Sequence, residues 1–587
     1  MSSLNKTLGE LHFQVSYFFL WLQEVTGKFS RELDLQKSEK LFILGISGVS
    51  LMFLLIGLNG DSPICTENDE LCYGPVSLYM ITHNTLNPGW FTNPASTTIY
   101  SLWLYYKIVQ LFTGQAIVDP HYSPFQMVFR NMDVILKWPR LSSVAFVLLS
   151  LPLLYVIGRR WFGQKAAMLG VTFYALSPLV VYYGQILRPD MLANLLIILS
   201  IFLFDYIIER PANRILAIAA GVVVGLAVST RFFCLALTVP LATIYGISLF
   251  RKGFSSERAQ IFQAGIVAAV VSFLTFFATS PFVFFDFHQL LEDMKFEAQA
   301  NFQELTGLGP LGNLNYYLVE GIPEGIGKYL TAVALMGLVA VFFRRRSVHT
   351  CIYLLLLFVF ATGTCMNPRH WARWSLPMLP IIVLLSGYGL TCIYDAMHTI
   401  IAKRSSTGVA KTISLITVSI LTLSAMFFPT RRLVFDQWQK SRLSERAMVY
   451  PYIKKNIPPG TKIALDSSWD WPDYDLYQVT PDIWRPDFVP PRPHKYYTPE
   501  DLARDGFEYM IVQRWNREYY MLDEQKENYP REYAFFHALL ERAPLLFDSY
   551  ASNHPYVLGK EIGWRVSPVE VYDLRHLSRQ TQAPSRH

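Results

Sequence analysis

The octapeptide CTENDELC, Cys65–Cys72, sets Glu67, Asp69 and Glu70 within four residues and follows closely on the apolar run LFILGISGVSLMFLLIGL. Further along, YYGQILRPDMLANLL carries Arg188-Pro189-Asp190, GLAVSTRFF carries Arg231, and MNPRHWARWSLPMLP carries Arg369, His370 and Arg373. Asp286 and His288 follow TSPFVFF. Guanidinium groups grip a phosphate through paired, charge-assisted hydrogen bonds. A carboxylate can take the proton of an attacking hydroxyl or amine, and surrounding positive charge lets a phosphate depart without a general acid. This set therefore suits transfer of a group from a phosphate-bearing carrier to an acceptor. Singly, each residue has a plainer reading. An arginine can snorkel to lipid headgroups, Asp190 can complement a helix N-terminus, and Asp69 and Glu70 can be solvated loop acids. The chemistry depends on their meeting on one side of something, so the elements that carry them matter most.

Those elements are membrane helices. Of the 587 residues, 52% are hydrophobic and 16% charged, against about 25% charged in ordinary soluble domains. Apolar runs recur at 41–58, 141–158, 166–183, 191–207, 215–230, 232–250, 262–280, 324–343, 349–364, 375–396 and 411–428, each long enough for about 30 Å of hydrocarbon. The expected fold is a polytopic α-helical membrane protein of about 11 crossings with juxtamembrane helices, not a β-barrel of short alternating segments. With the N-terminus inside, the inner loops hold Arg159, Arg160 and Lys165; Arg210 and Arg214; Arg251, Lys252 and Arg258; Arg344, Arg345 and Arg346; and Lys403 and Arg404. This agrees with the positive-inside rule, and the net charge of +6 then needs no nucleic acid. The long loop 284–321 is acid-leaning and lies outside. STTIYSLWLYYKIVQLF (96–112) is long enough to span, but counting it would invert every later loop. It is therefore read as juxtamembrane, inside a large outer loop 59–140 of the domain 41–428.

Residues 1–40 read as a cytoplasmic amphipathic segment leading into an uncleaved anchor. Residues 429–587 change composition. SERAMVYPYIKKNIPPGTKIAL reads as helix, turn and strand, and EYMIVQ (508–513) and PVEVYDL (568–574) read as strands, giving a soluble extracytoplasmic α/β domain. Of six cysteines, Cys234, Cys351, Cys365 and Cys392 lie in or near spans as small apolar residues. Cys65 and Cys72 share an outer loop, where a disulfide is permitted. The alternative is two free thiols, and zinc is disfavoured by the spacing.

A family resemblance enters at these residues. DELCYGPVSLYMI, NPGWFTNPASTTIYSLWLYY and above all residues 139–204, with the GRRWFG turn, resemble GT-C fold glycosyltransferases. The likeness is to the dolichyl-phosphate-mannose protein mannosyltransferase superfamily, which includes lipid A aminoarabinose transferases. RHWARWSLPMLPIIVLLSGYGL is similar to a late segment of that family. The resemblance implies that Asp69 is the acceptor-activating base, that Glu70 assists it or structures the loop, and that Asp190 is the second acid. In some relatives the second acid joins the first at a metal or orients the acceptor, so a divalent ion at Asp69 and Asp190 is one alternative, and no other cofactor is implied. Arg188, Arg231 and Arg369 become the donor-phosphate residues, with Arg373 and His370 behind them. Two departures stand out: the family's usual His-Pro-Pro is TNPAS here, and the cysteines flanking the acid pair are not part of the pattern.

The expected function is an inverting glycosyltransferase. It moves a sugar from a polyprenyl-monophosphate donor to a lipid, glycan or protein acceptor at the outer face. No Gly-rich nucleotide cradle stands near these residues. A lipid-linked sugar flippase is the first alternative, but it should carry ionisable groups at mid-membrane. A non-catalytic subunit of a glycan assembly complex is the second. The sequon Asn5-Lys6-Thr7 falls on the inner side and APSRH is no retention signal. Both lean towards a bacterial inner membrane with the site facing the periplasm.

Overall fold

The computed structural model describes residues 35–58, 70–91, 95–114, 117–119, 121, 124, 127–128, 131–298, 308–344, 347–367, 369–441, 445–466, 478–480, 498–549 and 569–577. Its helices are α1 (Lys37–Ile56), α2 (Glu70–Thr82), α3 (Ser96–Thr113), α4 (Trp138–Phe162), α5 (Gln164–Ala175), α6 (Pro178–Gly184), α7 (Pro189–Glu209), α8 (Arg214–Thr230), α9 (Thr238–Phe250), α10 (Arg258–Thr279), α11 (Phe287–Ala298), α12 (Lys328–Arg344), α13 (Val348–Met366), α14 (Leu379–Ala402) and α15 (Thr407–Lys440), besides shorter turns.

Among the described residues eight helices are long and apolar enough to cross a membrane. Two bent pairs raise the number to ten, and α8 is a shorter apolar helix. Each expected apolar run falls on one of these elements. The run 166–183 is broken: Ser177 caps α6 through Val180 N, Pro178 starts the new helix, and the two pieces meet at 55°. Proline at the first helical position costs no hydrogen bond, while the residue before it is steered out of the helix. α3 lies outside the group that passes the membrane test, and it buries Ile99, Leu102 and Tyr106 in a small cluster with Tyr73 and Leu78 of α2.

Packing is closest where side chains are smallest. Gly387 of α14 sits against α5 so tightly that an added Cβ would meet Ala166 O at 2.3 Å. Small residues let membrane helices approach in this way. Gly163, with φ +89°, makes the turn of GRRWFG from α4 into α5, a conformation glycine adopts without steric cost. α7 lies at the centre of the bundle, buried along most of its length.

Among the described residues the C-terminal part holds a five-stranded sheet in the order β2-β1-β3-β5-β4, with β1 Lys462–Leu465, β2 Gln478–Thr480, β3 Tyr509–Gln513, β4 Leu545–Asp548 and β5 Val569–Asp573. β1 runs parallel to β2 and β3, and β5 is antiparallel to β3 and β4. The strands read from the sequence are β1, β3 and β5. The two it did not give, β2 and β4, sit at the edges. α15 runs unbroken through residue 428 to Lys440, because PTRRLVFDQWQK keeps helical contacts after its apolar run ends: Arg432 bonds Glu324 at 2.8 Å, and Gln437 accepts from Gln185 at 2.6 Å.

Candidate active site

Asp190 occupies the first turn of α7, with Pro189 at N1 and Arg188 as the extended N-cap residue. Its carboxylate is only 8% exposed. Oδ2 accepts from Arg188 Nε at 3.0 Å and from Arg231 Nη2 at 2.8 Å, and Arg373 acts on the same carboxylate through its charge. Arg231 is placed by the end of α8, where its backbone N–H closes the last turn on Ala227 O and the chain then becomes extended. Arg231 Nε is buried without a hydrogen-bond partner among the described residues. A buried donor left idle is costly, and an incoming anion oxygen would satisfy it. Arg188 is buried and lies over the Tyr183 ring, 5.4 Å from its centroid, while Arg373 lies over Trp371 at 4.3 Å. Residues distant in sequence thus meet at the start of one helix.

Glu70, the first described residue after the acid-rich loop, is wholly buried. Arg140 holds it through Nε at 2.8 Å and Nη2 at 2.5 Å, and the backbone N–H of Leu187 donates to it. Arg140 Nη1 also reaches Leu58 O at 2.8 Å. The Glu70–Arg140 pair therefore ties the end of α1, the start of α2 and the turn before Arg188 into one unit.

The late arginine segment is held differently. Asn313 Nδ2 bonds Cys365 O at 3.0 Å and Asn367 O at 2.7 Å, and Asn367 Oδ1 accepts from Arg369 N. The buried His370 ring packs on Tyr316 at 4.5 Å. This segment is anchored to the short helix Gly309–Tyr316, and it brings the charge of Arg373 to bear on Asp190.

Sequence reasoning gave no role to Arg140, Gln185 or Lys440. Lys440, at the end of α15, donates to Gln185 and stacks over Tyr182 at 4.7 Å. Tyr182 and Tyr183 are themselves in edge contact at 4.9 Å, so Lys440 and Arg188 flank one tyrosine pair. A signal existed, since Gln185 stands in the same YYGQILRPD as Arg188, but nothing local pairs it with a residue 255 positions away.

Asp69 and Cys65 lie outside the described residues, and with them the geometry of the expected base and of the Cys65–Cys72 bridge. Among the described residues no three of His, Cys, Asp and Glu group as a metal site. Asp190, committed to arginines, is a poor donor for a divalent cation. Asp69, the other ligand that the resemblance offers, lies outside the described residues. A cavity of about 170 Å³ lined by Arg160, Asp205, Glu209, His349 and Tyr353 belongs to the other end of α7.

Residues 133–280 match the family described as dolichyl-phosphate-mannose-protein mannosyltransferase, a span that holds Arg140, Arg188, Asp190 and Arg231. No curated protein matches the sequence. Among solved structures, ArnT from Cupriavidus metallidurans superposes with a TM-score of 0.51 at 13% identity, covering 92% of this chain and 99% of that one. The archaeal oligosaccharyltransferase AglB from Archaeoglobus fulgidus gives 0.47 at 12% identity over 83% and 71%. The arabinofuranosyltransferase AftD from Mycobacteria gives 0.42 at 12% over 92% and 40%. The protein is a multi-pass membrane protein with the GT-C fold, and its residues 133–280, which build most of the described site, are similar to the dolichyl-phosphate-mannose-protein mannosyltransferase family.

Proposed function

We propose that this protein is an inverting glycosyltransferase that takes a sugar from a polyprenyl monophosphate and attaches it to an acceptor at the outer membrane face. The observation that carries the reading is the meeting of Arg188 and Arg231 on Asp190, with Arg231 Nε buried and unbonded among the described residues. A guanidinium held at one N–H and idle at another is set to receive a phosphate oxygen. The matched family, whose description names a dolichyl-phosphate-mannose donor, supports the same donor class.

In the proposed step, Asp69 takes the proton of the acceptor hydroxyl or amine as that atom attacks the anomeric carbon. The bond from that carbon to the phosphate oxygen breaks with inversion. The lipid phosphate keeps the electron pair, and Arg188 and Arg231, with Arg373, Arg369 and His370 around them, stabilise the charge it gains. Asp190 orients the arginines, and Glu70, through Arg140 and Leu187, holds the turn that bears Arg188. Asp190 and Asp205 are fifteen residues apart on one helix, roughly 22 Å at the α-helical rise. That separation supports placing the two charge clusters at opposite faces. The outer side and a bacterial inner membrane follow from loop charge. The sugar is hexosyl or pentosyl, and the acceptor is a lipid, glycan or protein.

The test uses the purified chain in nanodiscs with radiolabelled polyprenyl-phosphate sugars and an envelope lipid or glycan extract as acceptor. Label should pass to acceptor, and Asp69→Asn should lower the rate by about 10²- to 10⁴-fold. An Asp69→Asn variant as active as the parent overturns the mechanism. Label that crosses a vesicle without changing covalent partner would establish transport instead.

A further inference from the structure

We propose that α11 lies on the bilayer surface at the Asp190 end of the molecule, with Phe287, Leu291 and Met294 seated in lipid, and that it anchors the first outer loop to the membrane. At about 100° per residue, the helix FHQLLEDMKFEA divides into three arcs. One faces the protein: Leu290 is buried against Phe91 and Val283, Asp293 Oδ2 accepts from Phe91 N at 2.5 Å, and Gln289 donates to Asp293 Oδ1 at 2.8 Å. The second holds His288 and Glu292, both open to solvent. The third holds Phe287, Leu291 and Met294 at spacings of four and three residues, exposed to 55%, 40% and 51%.

Continuity identifies what covers this stripe. α10, a helix long and apolar enough to cross a membrane and buried at few positions, exposes Phe273 and Leu274 near its end, and Phe285 is 70% exposed in the turn that leads to α11. Phe277 joins the two, its ring 6.5 Å from Phe273 and 5.8 Å from Phe285, so the apolar surface of a lipid-facing span extends to the turn two residues before the stripe. Lys295 follows at the border between stripe and solvent arc, where its stem can lie along lipid with the ammonium in water. An apolar stripe backed by charged residues is the signature of a helix lying in the membrane interface.

The anchoring reaches the site. Asp286 accepts from Asn87 at 3.0 Å, and Asp293 from Phe91. That loop leads into α3, whose Thr97 hydroxyl meets Thr230 at 2.7 Å, one residue before Arg231. Lipid contact at α11 thus sets the depth at which the loop and Arg231 stand relative to the membrane surface.

The full chain, reconstituted in nanodiscs of phosphatidylethanolamine and phosphatidylglycerol, would carry a genetically encoded fluorescent amino acid in place of Leu291, Met294 or Glu292. Shallow nitroxide-labelled lipid should quench the probe at 291 and 294 at least three-fold more than aqueous iodide does, and the order should reverse at 292. Iodide quenching at 291 equal to that at 292 overturns the proposal. So does shielding of 291 and 294 from both quenchers, which would mean that protein covers the stripe. If the probe at 291 prevents folding, position 294 reads the same stripe.

Discussion

Arg231 gives Nη2 to a carboxylate and keeps a buried Nε with no partner among the described residues, and that division sets what its substitutions should do. Arg231→Ala removes a charge-assisted contact worth about 1.5–3 kcal/mol, so the KM for a lipid-phosphate donor should rise roughly 10- to 100-fold. Lysine restores the charge but not the planar fork. Arg231→Lys should therefore recover the salt dependence of donor binding and only part of the affinity, as steady-state kinetics would show. Glu70 belongs to a different case. Removing one partner of a buried ion pair costs about 3–5 kcal/mol, because the other charge is left buried alone. Glu70→Gln should lower the thermal unfolding midpoint as well as activity, whereas Asp69→Asn should spare stability. An unfolding midpoint for Glu70→Gln equal to the parent's would remove Glu70 from its positioning role.

Single contacts between elements can be tested in the same way. Gly387→Ala brings a methyl against Ala166 O, a backbone atom that cannot turn aside. Overpacking of this kind costs about 1–3 kcal/mol, and thermal unfolding in detergent should show the loss with no change in donor KM at permissive temperature. In the C-terminal sheet, β5 carries Glu570, which accepts from Arg514 at 2.8 Å, from Arg517 at 2.8 and 2.9 Å, and from Tyr572 at 2.7 Å. Burial pushes its carboxyl up, but hydrogen bonds from Arg517 and Arg514 outweigh burial and hold it below the ordinary 4.5. The folded state therefore binds this proton less readily than the unfolded chain. The stabilisation is complete above about pH 4.5 and is lost as pH falls through the depressed folded value. Sheet-domain unfolding followed by circular dichroism should show this acid sensitivity in the parent. Glu570→Gln should be less stable at neutral pH and show less of that acid dependence.

Across the whole molecule, α7 joins two charged ends. At one stand Arg188, Asp190 and Arg231. At the other, Asp205 accepts from Arg160, from Trp161 at 3.1 Å and from Tyr353 at 2.7 Å, and Arg160 reaches Glu209 at 2.6 Å. The proposed topology puts these ends in different compartments. An impermeant lysine or cysteine reagent applied to sealed inverted vesicles should modify Lys165 but not a cysteine placed at Arg369. Modification of both from one side would dismantle the outer-face assignment and the functional reading with it.

The sequence alone determined that the chain is built of membrane helices, and where most of them run. Twenty-residue apolar runs and basic loops are local, additive properties, and each is legible without its neighbours. It also brought forward Arg188, Asp190 and Arg231, since charge at the end of an apolar run is expensive and therefore visible. Tertiary structure decided which charges are partners. Arg140 clasps Glu70 from 70 residues away, Lys440 meets Gln185 across 255, and α11 binds a loop some 200 residues earlier. No composition or periodicity encodes such pairings, because a hydrogen bond depends on where two backbones have been carried by everything packed between them.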